Sequence, residues 1–208
     1  PAEDFYEACQ SFWFVQMLLQ MESSGHSISP GRFDQYMYPL YKQGIENGTL
    51  TREFAQELLD CIWVKLNDLN KARDAASAEG FAGYSLFQNL CAGGQTKEGI
   101  DATNDLSFLC IQASMHTRLP APSFSVRVWN GTPNEFLVKC AELTRTGVGL
   151  PAYYNDEVII PSLMSRGVSL EDARDYNIIG CVEPQAPHKT HGWHDAAFFN
   201  MLRPVELV

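Results

Sequence analysis

The sequence has no long apolar run, no basic leader segment and few cationic residues. No stretch approaches the length that an apolar helix needs to cross a bilayer, and no basic region followed by an apolar segment opens the chain. Lysine and arginine number 15 against 25 aspartates and glutamates, which gives a net charge of −10. Because phosphates are bound through clustered Lys and Arg side chains, this balance argues against a nucleic-acid partner. We expect a cytoplasmic protein with neither a membrane nor a nucleic acid among its partners.

Closely spaced cysteine pairs are also missing. The six cysteines occur without a Cys-x-x-Cys motif, which excludes a zinc ribbon or a thioredoxin-type site. Four of them lie in helix-like apolar stretches, where a thiol behaves as a small apolar side chain: Cys9, Cys61, Cys110 and Cys140. Cys181 has a different setting, and the functional interpretation depends on it.

Helix and strand patterns alternate along the chain. Apolar residues at helical spacing predict a largely buried helix from Phe5 to Met21, and Ser123 to Val128 alternates as a strand does. Thr132-Pro133-Asn134-Glu135 predicts a helix start, with Thr as the cap and Pro at the first helical position. A short apolar strand, Tyr176 to Ile179, runs into Gly180-Cys181. Strands separated by capped helices predict an α/β fold.

The run from Ile179 to Gln185 is the most informative in the chain. Gly180 allows close approach of the backbone, and Pro184 stiffens the exit. In an extended segment Cys181 and Glu183 would project to the same side, because side chains alternate along a strand. A thiol and a carboxylate would then face one substrate, one for hydrogen or nucleophile chemistry and the other for proton transfer.

Three interpretations of this pair compete on the residues alone. The first is a buried cysteine beside a surface glutamate. The second is a thiolate nucleophile assisted by a histidine, and the third is a metal site that combines the thiol with histidines. The histidines available for either lie downstream, at His188, His191 and His194. The residue types do not choose among the three.

Gly180-Cys181-Val182-Glu183-Pro184 resembles the cysteine-loop motif of the glycyl radical enzymes, within the pyruvate formate-lyase-like superfamily. The branch it resembles includes glycerol and propanediol dehydratases, choline trimethylamine-lyase and hydroxyproline dehydratase. The likeness extends downstream through Gln185, Pro187, Lys189-Thr190 and Gly192 to Asn200, and upstream over Gly25-His26-Ser27 and Gly31 to Gln35. These three separated blocks, in this order, together span nearly the whole chain.

The resemblance implies part of a ten-stranded α/β barrel with the cysteine on an inner loop. Residues 1–208 would be a partial barrel domain from the middle of a longer protein, without the N-terminal part of the barrel and the C-terminal glycyl radical domain. No bound cofactor is implied; the radical is carried by a glycine outside this chain and is installed by a radical SAM activating enzyme. The expected partners are a small-molecule substrate, this activase and a second copy in a homodimer, with the isolated piece inactive.

The resemblance also assigns roles to residues. Cys181 would carry the thiyl radical in a buried, dry site, and Glu183 would be the general base on a substrate hydroxyl. His26, Ser27 and Asp195 match residues that hydrogen-bond substrate hydroxyls in the family's diol dehydratases. No metal ligands are implied.

Dehydration of a vicinal diol or polyol, such as glycerol or propane-1,2-diol, is the favoured reaction. Phe87 falls at the aromatic wall of the site, where glycerol dehydratases carry Tyr and choline lyase carries Phe, which leaves hydroxyproline dehydration and C–N or C–S cleavage open. Acyl transfer of the pyruvate formate-lyase kind is disfavoured, because that enzyme has two adjacent cysteines where this chain has Gly180 and Cys181. Residues 127–131 are only superficially similar to the family's R-V-x-G-Y block and are not taken for it. The alternatives from other classes are a Cys/His hydrolase, a zinc-binding module and an inactive interaction protein.

Overall fold

The computed structural model describes residues 1–23, 27–69, 74–80, 85–187, 189 and 202–207. These residues form helices α1 (Phe5–Glu22), α2 (Phe33–Tyr36), α3 (Tyr38–Glu46), α4 (Arg52–Asp68), α5 (Ala75–Gly80), α6 (Asp105–Thr117), α7 (Asn134–Arg145), α8 (Asp156–Ser165), α9 (Leu170–Arg174) and α10 (Arg203–Glu206). The strands are β1 (Asn89–Gly93), β2 (Ser123–Val128), β3 (Ala152–Asn155), β4 (Asn177–Ile179) and β5 (Glu183–Gln185). Among these described residues, no helix has both the length and the apolar character to cross a membrane.

The strands form a parallel sheet and a separate hairpin. Strands β1, β2 and β3 are parallel neighbours in that order, and β4 pairs with β5 in antiparallel fashion. Helix α6 connects β1 to β2, and α7 connects β2 to β3, since parallel neighbours need a crossover between them. The predicted α/β class is confirmed, and β2 has the bounds that its alternating residues predict.

The two faces of the sheet differ in polarity. Leu90 of β1 and Phe124 of β2 are buried in one large apolar cluster with side chains of α4 and α6. Asn89, Ser125 and Arg127 point the other way, because side chains alternate along a strand. Asn89 donates to the β4–β5 hairpin, Arg127 donates to the residue before it, and Ser125 donates to Asn89. The candidate site lies on this polar face.

Helix α1 follows its predicted extent but is not largely buried. Its buried positions include Phe5, Cys9 and Gln16, which face the rest of the fold. Large apolar residues on its other side are exposed: Tyr6, Phe14, Val15, Leu18, Leu19 and Met21. The burial prediction is wrong for that side, because both sides of this helix are apolar and only one packs within the described part of the chain.

Thr132 does not cap α7. Its hydroxyl accepts a hydrogen bond from the backbone amide of Trp129 at 2.8 Å, and the helix begins after Pro133 without a side-chain cap. The predicted helix is present, but the Thr132 hydroxyl stabilises the turn before the helix and does not cap the helix.

Candidate functional site at the tip of the hairpin

Cys181 lies in the turn of the β4–β5 hairpin. Ile179 pairs with Glu183, so residues 180–182 reverse the chain. Gly180 has a φ of +58°, in the left-handed region that costs a residue with a side chain about 1–2 kcal/mol. Cys181 and Val182 therefore lie in a turn, and not in the extended segment that would have projected Cys181 and Glu183 to the same side.

The carboxylate of Glu183 nevertheless folds back over this turn. Its Oε2 accepts a hydrogen bond from the backbone amide of Val182 at 2.9 Å. A Cβ atom built on Gly180 would lie 2.6 Å from the same oxygen, closer than real side chains approach. The carboxylate thus occupies the space that a side chain at position 180 would need, next to the residues on both sides of Cys181.

Side chains of the sheet hold the turn through hydrogen bonds to the backbone carbonyls of the turn. Asn89 Nδ2 donates to the carbonyl oxygen of Cys181 at 2.9 Å, and the hydroxyl of Ser125 donates to Asn89 Oδ1 at 2.5 Å. The hydroxyl of Tyr154 donates to the carbonyl oxygen of Val182 at 3.4 Å. Within the described part of the chain, Cys181 and Val182 are exposed. The buried, dry site expected for the thiol in the whole protein stays a prediction.

Two of the residues predicted to contact substrate have unusual backbones. Ser27 has a φ of +55° and Phe87 a φ of +50°, and both are half-buried. Residues with side chains keep this conformation only where their surroundings impose it, and such residues cluster at functional sites. The carbonyl of Ile28 accepts hydrogen bonds from the side-chain amides of Gln16 and Gln20 at 2.7 and 2.8 Å, which holds the segment that follows Ser27.

Asn89 is where the predicted site segments meet. Its backbone amide donates to the hydroxyl of Ser29 at 3.1 Å, two residues after Ser27. Phe87 is two residues before Asn89 in the chain, and the Asn89 side chain holds the turn of Cys181. The structure therefore brings together the segments that carry Ser27, Phe87, Cys181 and Glu183.

The remaining predicted residues lie outside the described part of the chain. They are His26 and Asp195 of the substrate contacts, and the three histidines of the hydrolase and metal alternatives, His188, His191 and His194. Their roles stay predictions.

A fully buried ion pair lies beside the start of the hairpin. Arg127 donates to both carboxylate oxygens of Asp156, at 2.9 and 2.8 Å, and its guanidinium lies over the ring of Tyr176 at 3.9 Å. A further Arg127 nitrogen donates to the carbonyl of Tyr176, the residue before β4, at 2.8 Å. Arg127 thus has a structural role in the core, which agrees with the view that residues 127–131 are not the radical glycine block.

Cys91, in β1, also lies on the polar face. Burial raises the pKa of its thiol to about 12, so the thiol stays protonated at neutral pH and is a poor nucleophile. Cys181, by contrast, lies in an exposed turn.

Sequence reasoning did not find Asn89, Ser125 or Tyr154. Ser125 had a weak signal, since it is a polar residue at an alternate position of a predicted strand. Asn89 and Tyr154 had none, because their partners are distant in sequence.

The chain matches known proteins over its whole length. The family model described as pyruvate formate lyase-like matches residues 1–208. (2S)-3-sulfopropanediol dehydratase of Klebsiella oxytoca is 43% identical over 99% of this chain and 25% of its own. A solved structure on 1,2-propanediol dehydration in Roseburia inulinivorans is 73% identical with a TM-score of 0.92, covering 100% of this chain and 26% of that one. The glycerol-bound B12-independent glycerol dehydratase of Clostridium butyricum is 64% identical with a TM-score of 0.89, covering 99% and 26%.

The chain spans about a quarter of the length of these relatives. The shared fold confirms the prediction of a partial α/β barrel. The match over the whole chain shows that it belongs to the pyruvate formate lyase-like family of glycyl radical enzymes.

Proposed function

We propose that the protein to which this chain belongs is a glycyl radical dehydratase that removes water from a small vicinal diol, with propane-1,2-diol as the first substrate and glycerol as the second. The observation that supports this most directly is the Glu183 carboxylate folded over the turn that carries Cys181. The solved relatives at 73% and 64% identity, on propane-1,2-diol dehydration and glycerol dehydration, support the substrate class. The proposal includes activation by a radical SAM enzyme and a homodimer of the whole protein.

Cys181 and Glu183 divide the chemistry between them. Cys181 would give the hydrogen atom of its thiol to a glycyl radical supplied from outside this chain, which leaves a thiyl radical on its sulfur. The Cys181 thiyl then takes a hydrogen atom from C1 of the diol, and Glu183 accepts the proton of the C1 hydroxyl and passes it to the departing C2 hydroxyl, which leaves as water. The thiol finally returns its hydrogen atom to C2, so that the diol becomes an aldehyde plus water and the thiyl is restored.

The other predicted residues bind and enclose the diol. His26, Ser27 and Asp195 hydrogen-bond its hydroxyls, and Phe87 forms one wall. The positive φ values of Ser27 and Phe87 support these roles, since a strained backbone is retained where a side chain must be aimed.

The test uses the full-length protein, activated without oxygen by its activating enzyme. Cys181→Ala should keep the glycyl radical signal in electron paramagnetic resonance but lose turnover of propane-1,2-diol, because the relay to substrate is broken. Glu183→Gln should also keep the signal and lower kcat by about 10²–10⁴-fold, the usual contribution of a general base. Cys61→Ala and Glu57→Gln are matched controls, since both residues are exposed on α4.

Near-normal turnover in either Cys181→Ala or Glu183→Gln contradicts the assigned roles. Stoichiometric zinc together with the absence of a radical signal would favour the zinc-binding alternative instead. Turnover of glycerol in preference to propane-1,2-diol would change the substrate within the class and leave the mechanism as proposed.

A further inference from the structure

Residues from all three strands of the parallel sheet hold the Cys181 turn. Asn89 and Tyr154 donate to its carbonyls directly, and Ser125 acts on it through the side chain of Asn89. Asn89 belongs to β1, Ser125 to β2 and Tyr154 to β3. Asn89 and Ser125 are 2% and 1% exposed, so the hydrogen bond between them is shielded from water. Hydrogen bonds in such surroundings are stronger than exposed ones and hold their partners in one geometry.

The amide of Asn89 can take only one orientation here. The carbonyl oxygen of Cys181 can accept but not donate, so the amide nitrogen must face it. The amide oxygen then faces Ser125 and accepts its hydroxyl hydrogen. The hydrogen bond from Ser125 thereby holds the Asn89 amide in the orientation in which its nitrogen donates to the turn.

The backbone of Asn89 is held as firmly as its side chain. Its amide donates to Ser29 at 3.1 Å, and its carbonyl accepts from the amide of Gly31 at 3.0 Å. One residue therefore links the turn of Cys181 to the segment that carries Ser27. A shift of either segment relative to the other would break a hydrogen bond of Asn89.

We propose that Asn89, Ser125 and Tyr154 form a carbonyl clamp, a set of positioning residues that holds the sulfur of Cys181 in register with the substrate-binding segment of Ser27. This inference rests on the proposed function and deepens it. One sulfur atom must take a hydrogen from C1 and return it to a neighbouring carbon, so the sulfur has to be placed to a fraction of an ångström for both transfers. The carbonyl clamp places it through the backbone, without touching substrate.

The first experiment measures turnover of propane-1,2-diol by the activated full-length enzyme. Asn89→Ala and Ser125→Ala should lower kcat about ten- to hundredfold, as a displacement near 1 Å does, with KM changed by less than about threefold and the glycyl radical signal unchanged. The kinetic isotope effect on kcat with C1-deuterated diol should rise in both variants, because hydrogen transfer becomes the slower step.

Tyr154→Phe is the milder variant, because it removes one hydroxyl and leaves the ring in place. It should lower kcat by a smaller factor with the same unchanged radical signal. Tyr153→Phe is its matched control: the neighbouring tyrosine lies on the opposite face of β3, where its hydroxyl bonds Thr144. Asn134→Ala, at an exposed position of α7, is the control for Asn89→Ala.

A kcat within twofold of wild type in Asn89→Ala, with a full radical signal, overturns the inference. So does a kcat that falls only in proportion to lost radical signal, since that result would mean a general structural role.

Hydrogen–deuterium exchange of the unactivated enzyme tests the carbonyl clamp without any substrate. Exchange over residues 177–187 should be faster in Asn89→Ala than in Asn134→Ala, because the turn has lost a hydrogen bond that holds it to the sheet. Equal rates overturn the carbonyl clamp. If the wild type turns over no diol, the proposed function fails, while this exchange comparison still decides whether the carbonyl clamp holds the turn.

Discussion

Replacing Gly180 with alanine tests the geometry of the hairpin turn with a single methyl group. The new Cβ atom would lie 2.6 Å from Oε2 of Glu183 and 3.2 Å from its Cδ. Ordinary contact begins at 3.4 Å, so the carboxylate must retreat by about 0.8 Å or more, which strains its hydrogen bond from Val182. If Glu183 is the general base, a shift of this size should lower kcat about ten- to hundredfold.

Backbone strain has to be separated from this loss of positioning. Gly180 has a φ of +58°, and alanine in this region costs about 1–2 kcal/mol of stability. Gly48→Ala is the matched control, because Gly48 has a φ of +70° and no atom of the described residues lies within 4 Å of its Cβ position. Both variants should lose stability to a similar extent, and only Gly180→Ala should lose activity.

The assay compares kcat for propane-1,2-diol in the two activated full-length variants, alongside their urea unfolding and radical signals. Wild-type kcat in Gly180→Ala, with the expected stability loss present, would refute the reasoning, since it would mean that Glu183 does not need its place over the turn. Equal losses of kcat in both variants would do the same, by tracing the effect to backbone strain.

Two further predictions concern buried charges. Arg127→Met should lower the free energy of unfolding by about 3–5 kcal/mol, because Asp156 is left buried without its cation, whereas Lys42→Ala at an exposed ion pair should change it by less than about 1 kcal/mol; equal effects in urea unfolding would contradict this. Burial raises the pKa of Asp34, so its contribution to stability is complete at low pH and is lost as the pH rises through the raised pKa. Asp34→Asn should remove that decline, and a stability–pH curve identical to the wild-type curve would argue against it.

The sequence predicts a strand where polar and apolar residues alternate along the chain. Strand β2 is recognisable because polar Ser125 and Arg127 alternate with apolar neighbours. Strand β1, whose residues are all buried, is not recognisable in the same way, because the residues from Asn89 to Gly93 do not alternate between polar and apolar types. Helix α1 shows the opposite difficulty: its apolar residues lie on both sides, and the side that packs is decided by segments distant in sequence.

At the candidate site the sequence predicts the chemistry better than the geometry. Cys181 and Glu183 stand out by their types and their closeness in the chain, but a short run that begins with glycine is compatible with both a strand and a turn. The contacts of Asn89 with Ser125 and Cys181 join residues 36 and 92 positions apart. Such contacts depend on strand register and on the placement of the hairpin. Neither can be predicted from a local sequence pattern.

The carbonyl clamp recognises a backbone, and every amino acid carries the carbonyl oxygen that it binds. The two hydrogen bonds of the clamp to the turn therefore do not depend on which side chains stand at positions 181 and 182. A Cys181→Ser variant would therefore keep the path of the turn but have a hydroxyl in place of the thiol. Because it cannot form the thiyl radical of the proposed mechanism, a crystal soaked with diol would retain the unreacted diol in its bound pose.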